Sequence, residues 1–154
     1  SKNDLKQIIE TANENNISGL IISNTTVDRN KELQSDNLHE TGGLSGRPLF
    51  NKSTTFLALA NKIINQKKYN LYLIAAGGVL DAKSAYAKIL CGAHLVQLYS
   101  SMTFDGPLIA DNILKGLLQL MNRDKISSIN DVRGIVDNLE AAMKIANNGL
   151  IDNI

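Results

Sequence analysis

Three short apolar runs, set apart by stretches long enough for a helix, constrain this chain more than any other feature: SGLIIS at 18–23, LYLIAA at 71–76 and HLVQLYSS at 94–101. They are near-continuous rather than alternating, so both faces of each strand are meant to be dry. That is the pattern of parallel strands covered by helices. Between and around them lie apolar residues at helical spacing. Leu5, Ile8, Ile9 and Ala12 predict a helix over 4–15 with Asn3 or Asp4 as its cap. Phe56, Leu57, Ala60, Ile63 and Ile64 predict a second behind a Ser53–Thr54 cap. Asp81 caps a third carrying Ala82, Ala85, Tyr86, Ile89 and Leu90 and stopped by Gly92. A fourth opens at Pro107 ahead of Ile109, Ile113, Leu117 and Leu120. After Arg123 the pattern weakens, leaving one short helix within ISSINDVRGIV and a last one over 137–147.

The chain of 154 residues is 44% hydrophobic and 20% charged, which suits a single soluble globular unit with a real core. A formal charge of +1, with the charges scattered, argues against nucleic acid or anionic membrane surfaces as partners. Cys91 stands alone, so neither a disulfide nor a thiolate metal cage forms within one chain, and a reducing compartment is expected. The longest apolar run, LYLIAAGGVL, has ten residues against the ~20 needed to cross a bilayer. The start, SKNDLKQIIE, has no apolar stretch behind a basic one, so no signal peptide is expected.

Each apolar run ends in small polar or glycine-rich residues: SNTT at 23–26, GG at 77 and 78, YSS at 99–101. In parallel α/β folds the carboxyl ends of the strands hold ligands, because loops and helix N-termini there present unpaired N–H groups. A buried strand can run straight into polar side chains if those side chains face a ligand cavity. Asn24 and Thr25 together suit a planar ligand edge carrying C=O and N–H groups; the competing reading is a side-chain-to-backbone turn. The loop ETGGLSG at 40–46 can close over a ligand and offer backbone N–H groups to an anion. Gly77 and Gly78 let a backbone approach a ligand closely, or simply make a tight strand-to-helix turn. Tyr99, Ser100 and Ser101 add donors to the same anion, or are a fraying strand. One shared rim would fit a phosphate with something planar beside it.

Other residues carry blander readings. His39 and His94 lack partners at metal-ligand spacing, and no metal site is expected. Cys91 reads as buried filler, Lys67–Lys68 as a solvated helix end, and Asp28, Arg29, Lys31 and Glu32 as an exposed loop.

The strings IISNTT, ETGGLSGRPL, AAGGV and GAHLVQLYSSMTFDGP resemble, in order and spacing, the C-terminal part of class 2 dihydroorotate dehydrogenases, the quinone-linked flavoenzymes of pyrimidine synthesis. The resemblance covers residues 1 to about 123; it leaves 124–154 as an extension, expected to be helical. It implies an α/β fold, the C-terminal portion of a (β/α)8 TIM barrel, about three strand-helix units. It also implies FMN as cofactor, dihydroorotate and orotate as substrate and product, and a quinone as acceptor. By matching position, Ser23 would touch FMN, and Asn24 and Thr25 would hold the dihydroorotate or orotate ring. Ser45 and Gly46 would line the flavin site, Gly77 and Gly78 would meet its phosphate, and Tyr99 with Ser100 would complete that cradle. The family's catalytic base, its flavin-contacting lysine, its quinone tunnel and its membrane-associated helices have no counterpart here. The resemblance therefore implies association with a bacterial or mitochondrial inner membrane, in a chain that itself lacks a membrane segment. Three strands cannot close a barrel, which predicts open edges that meet the remainder of a barrel or self-associate. Two further readings stand beside this one: a non-catalytic remnant that folds by oligomerising, and a piece of another FMN-dependent barrel oxidoreductase.

Overall fold

The computed structural model describes residues 1–29, 33, 36 and 39–150, so Lys31 and Glu32 lie outside the described residues. The order is α1 (Lys2–Glu14), β1 (Gly19–Ile22), α2 (Phe50–Lys67), β2 (Tyr72–Ala76), α3 (Ala82–Leu90), β3 (Leu95–Gln97), α4 (Ser100–Asp105), α5 (Ile109–Arg123) and α6 (Leu139–Asn148). Short 3₁₀ turns at Arg47–Leu49 and Ile129–Val132 precede α2 and α6.

The three strands form one parallel sheet in the order β1-β2-β3, with Leu20 opposite Leu73, Ile22 opposite Ala75 and Ala75 opposite Val96. Strand side chains alternate between faces, so this register sorts them into two rows. Leu20, Ile22, Leu73, Ala75 and Val96 join the main core, together with Leu5 and Ile9 of α1, Leu57, Ala60 and Ile64 of α2, and Tyr86, Ala87 and Leu90 of α3. On the other face Ile21, Ile74 and Leu95 line up across the sheet; Ile21 is 57% and Leu95 63% exposed, as is Tyr72 at 57%. The sheet is thus covered by helices on one side and open on the other. The apolar runs look continuous in sequence because both faces are apolar, and only one of them is filled.

Several element ends differ from the sequence expectation, each for a local reason. The cap of α1 is Ser1, whose Oγ accepts from the Asp4 N–H at 3.3 Å, with Asp4 answering as the third helical residue. Helix α2 starts at Phe50, ahead of Ser53–Thr54, because Pro48 sets up the turn that leads into it. Ser53 and Thr54 are fully buried in its first turns rather than capping it. Strand β3 has three residues instead of eight, since the chain turns at Tyr99 into α4; the Ser101 Oγ donates to the Val79 carbonyl at 2.7 Å and draws the chain away from the sheet. Only one 3₁₀ turn forms in ISSINDVRGIV, capped by Ser128. Beyond it the Gly134 and Val136 N–H groups donate to the Ile89 and Leu90 carbonyls at 3.1 and 3.2 Å, closing the end of α3. The cap at Asp81 is as expected: its Oδ1 accepts from the Ser84 N–H at 2.7 Å.

Helix α6 lies on α3 and contributes Ala142, Ile145 and Ala146 to the main core. A polar tie holds this end of the molecule. The fully buried Tyr86 donates its hydroxyl to Asp124 Oδ2 at 2.8 Å; Arg123 donates to the same carboxylate at 2.7 and 2.9 Å and to the Ile145 and Ala146 carbonyls at the end of α6. Burial pushes the Asp124 carboxyl upward, but the hydrogen bonds from Arg123 and Tyr86 outweigh it and hold the group below its ordinary range. Among the described residues no helix is long and apolar enough to cross a membrane.

Candidate functional site

The polar strand ends converge. A cavity of about 280 Å³ at the carboxyl edge of the sheet is lined by Ser23, Asn24 and Thr25 beyond β1, by Gly77 and Gly78 beyond β2, and by Tyr99 and Ser100 beyond β3. Ser45 and Gly46, from the glycine-dense loop, close its fourth side. The nine residues that the resemblance assigns to the site therefore share one space, whereas Ser101, expected as a further donor, does not line it and is buried with its hydroxyl on the Val79 carbonyl. Five residues that the sequence did not single out also line it: Leu49, Ala76, Val79, Gln97 and Leu98. Leu49 and Val79 are buried core residues with one side on the cavity, and nothing in the sequence separates them from other core positions.

The loop reaches the site through specific bonds. The Thr26 and Leu44 backbones pair as a short antiparallel bridge, with N–H···O distances of 3.1 and 2.7 Å, and the Ser100 Oγ donates to the Ser45 Oγ at 2.9 Å. Gly43 lies so close to Thr25 that a Cβ there would fall 1.9 Å from the Thr25 hydroxyl, which fixes glycine at that position. Arg29 donates to the Glu40 carbonyl at 2.9 Å and also to the Gly42 carbonyl, and Lys52 pairs with Asp28, holding that carboxyl low. Arg29 and Lys52 thus brace the loop, a role their sequence context did not announce.

Asn24 keeps part of each reading. Its Oδ1 accepts from the Thr25 N–H at 2.7 Å, a local turn, and its Nδ2 donates to nothing among the described residues. Both Asn24 and Thr25 are exposed. The amides of Gly77, Gly78, Tyr99 and Ser100 likewise find no acceptor among the described residues. Gly78 is buried and Gly77 and Ser100 are half-buried, where N–H groups rarely stay unpaired, so an acceptor from a ligand or water fits them; Tyr99 is 82% exposed and its N–H can meet solvent. The N-terminus of α3 is different: its own Asp81 carboxylate already occupies it.

The glycine turn has a packing cause of its own. Gly78 sits at φ +75°, and a Cβ there would fall 2.4 Å from the Phe50 Cα, so the turn rests against the start of α2 with no room for a side chain. Glycine here is explained without a ligand, and the ligand argument rests instead on the convergence and the unpaired donors. On the far side of Gly78 a second cavity of about 550 Å³ opens between α2 and α3, with Arg47 and Lys83 on its walls.

His94 belongs to the fold. Its Nδ1 accepts from the Leu73 N–H at 3.1 Å, its ring meets Tyr72 edge-on at 5.0 Å, and burial with the nearby Arg133 charge keeps its pKa low. His39 is exposed, and Cys91 is buried, its thiol pushed up to about 12 by burial. Among the described residues no cluster of His, Cys, Asp and Glu can hold a metal ion.

A parallel sheet with helices on one face, an open apolar row on the other, and a polar cavity at its carboxyl edge is the architecture of a segment of a (β/α)8 barrel. The comparisons agree. The crystal structure of a ligand-free DHODH from Eimeria tenella superposes with a TM-score of 0.82 at 36% identity, covering 88% of this chain and 36% of that one. A family model described as dihydroorotate dehydrogenase matches residues 1–121, and the chain belongs to that family. Among curated relatives, a dihydroorotate dehydrogenase (quinone) of Sinorhizobium fredii is 47% identical over 118 residues, 77% of this chain and 32% of the relative. One of the same name from Bartonella henselae is 42% identical over 133 residues, 86% of this chain and 36% of the relative. The chain thus spans about a third of the length of the curated relatives it matches.

Proposed function

We propose that this chain is the late-strand wall of the active site of a quinone-linked dihydroorotate dehydrogenase, which oxidises dihydroorotate to orotate with FMN as its cofactor. The observation that carries the reading is the meeting of Asn24 and Thr25 with the unpaired amides of Gly77, Gly78, Tyr99 and Ser100 in one cavity. Four converging N–H groups suit a phosphate, the anionic end of FMN, and need no metal to do so. Ser45 and Gly46 then lie along the cofactor, with Ser23 touching it from β1. Asn24 Nδ2 and the Thr25 hydroxyl face the substrate side, where a flat acid offers ring C=O and N–H groups.

The division of labour is simple. When bound, the flavin accepts the hydride that leaves the substrate ring. The residues of this chain orient the two partners: the amides fix the phosphate end, and Asn24 and Thr25 fix the ring. None of them is assigned proton abstraction, which falls to a base outside this chain. The open sheet face with Ile21, Tyr72 and Leu95 is an unfinished interior, and the rest of the barrel is the partner that fills it. The quinone is met by that remainder, and since quinones reside in membranes the whole enzyme works at a membrane surface.

The test is made on the natural gene product that carries this chain. Purified protein should be yellow, release FMN on denaturation, and reduce a quinone with dihydroorotate. Asn24→Ala should weaken orotate binding by about tenfold or more, the scale of one or two hydrogen bonds to a buried polar ligand worth about 1–3 kcal/mol, and leave FMN bound. Loss of flavin with unchanged orotate affinity would overturn these roles.

A further inference from the structure

Lys88 is the one lysine of α3 with no exposure at all, and among the described residues it has no carboxylate partner. Its three donor directions are nevertheless used: Nζ donates to Ser53 Oγ at 2.8 Å and to Thr54 Oγ1 at 2.9 Å, and it lies 5.3 Å from the centre of the Phe50 ring. Ser53 passes the contact on, donating its own proton to the Gly77 carbonyl at 2.9 Å. A buried ammonium held only by neutral groups is costly, and this one stands directly behind the glycine turn.

The direction of the chain matters. In a trans peptide the C=O and the following N–H point opposite ways. Tethering the Gly77 carbonyl inward, toward Ser53, therefore turns the Gly78 N–H outward, the donor that has no acceptor among the described residues. A hydrogen bond that ends on a cation polarises each link before it, so the Gly77–Gly78 amide is both aimed and strengthened as a donor. Burial pulls Lys88 down to about 8, which still leaves it protonated near neutral pH, and the neighbouring Cys91 thiol stays neutral.

We propose that Lys88, acting through Ser53, is a positioning residue for anion recognition, supplying the positive charge behind the Gly77–Gly78 turn that favours the phosphate of the flavin. This rests on the assignment of FMN to the cavity. Lys88 touches neither cofactor nor substrate; it sets the orientation and polarity of the amide that does.

The test compares FMN with riboflavin, which lacks the phosphate, on the natural gene product stripped of flavin. Dissociation constants are measured by flavin fluorescence quenching for the native protein, Lys88→Met, Ser53→Ala and the double variant. The native protein should prefer FMN. A unit charge roughly 10 Å from the anion, at the effective dielectric of about 20 that suits buried sites, changes that preference about tenfold. Lys88→Met should lose about this factor for FMN with little change for riboflavin. Ser53→Ala, a small change in a helix, keeps the charge and removes only the tether to Gly77, so it should lose a smaller part of that factor, and the double variant should be no worse than Lys88→Met because the two act as one chain. Failure of the native protein to bind FMN would sink the functional reading itself. Native binding with an unchanged FMN-to-riboflavin ratio in both single variants would overturn only the proposal, as would equal loss of both ligands.

Discussion

Removing the carboxylate of Asp124 is the sharpest probe of how the end of the chain is held. Its side chain is 1% exposed and takes the hydroxyl of Tyr86, itself fully buried, together with two donors from Arg123. In Asp124→Ala the Tyr86 hydroxyl loses its acceptor inside the core, at about 1–3 kcal/mol. Arg123, 31% exposed on its side chain, keeps water and the α6 carbonyls, so its loss is discounted to about 1 kcal/mol or less. The expected cost is about 3 kcal/mol, a large part of the 5–15 kcal/mol that holds a domain folded. The sign of a second substitution makes the case specific. Tyr86→Phe should destabilise the native sequence by about 1 kcal/mol, yet should restore about 1 kcal/mol in the Asp124→Ala background, because there it removes an orphaned hydroxyl. Urea unfolding followed by circular dichroism gives all four values. Tyr86→Phe costing the same in both backgrounds would refute the reasoning. The pH dependence follows from the lowered carboxyl. The unfolded chain, at an ordinary 3.8, takes up the proton first as acid is added, so the contribution of Asp124 is whole at neutral pH and is lost as the pH falls below about 4. Asp124→Ala should lack that acid-side loss.

Two other expectations can be checked in the same protein. Gly78→Ala places a methyl 2.4 Å from the Phe50 Cα at a φ of +75°, a conformation that alone costs alanine about 1–2 kcal/mol, so FMN affinity should fall at least about tenfold; flavin retained at native affinity would show that the turn is not part of the cradle. Lys88 is pulled by burial from 10.5 to about 8, so its protonated form costs about 3 kcal/mol below pH 8, and that cost is relieved as the pH rises toward 10.5. The stability advantage of flavin-free Lys88→Met over the native protein should therefore shrink over that range. Taking the difference cancels most of the opposing loss expected from Cys91 and Tyr86, whose buried groups are both raised. A difference that stays constant from pH 7 to 10.5 would contradict a buried charged lysine.

The parts that local physics controls were legible in advance. Continuous apolar runs broken by helical stripes are enough to specify parallel strands under helices, and Asp81 followed by a small-residue helix is enough to specify a cap. The polar ends of those runs then fall on one rim by topology alone, since parallel strands all point the same way; this is why seven residues spread from Ser23 to Ser100 line one cavity, while Ser45 and Gly46 are brought there by the Thr26–Leu44 bridge and the Ser100–Ser45 bond. Tertiary structure decided what depends on a partner distant in sequence. Ser53 and Thr54 read as a cap because hydroxyls favour helix starts, but the Pro48 turn begins the helix earlier, at Phe50, and Lys88, more than thirty residues on, takes both hydroxyls inward. Strand β3 ends early because Ser101 finds the Val79 carbonyl, and Arg29 proves to be a brace only once the carbonyls of Glu40 and Gly42 are beside it. Periodicity is a property of neighbours along the chain. A buried charge or a tethered carbonyl is settled by whichever group the fold brings within about 3 Å, and no window of sequence contains both ends of that contact.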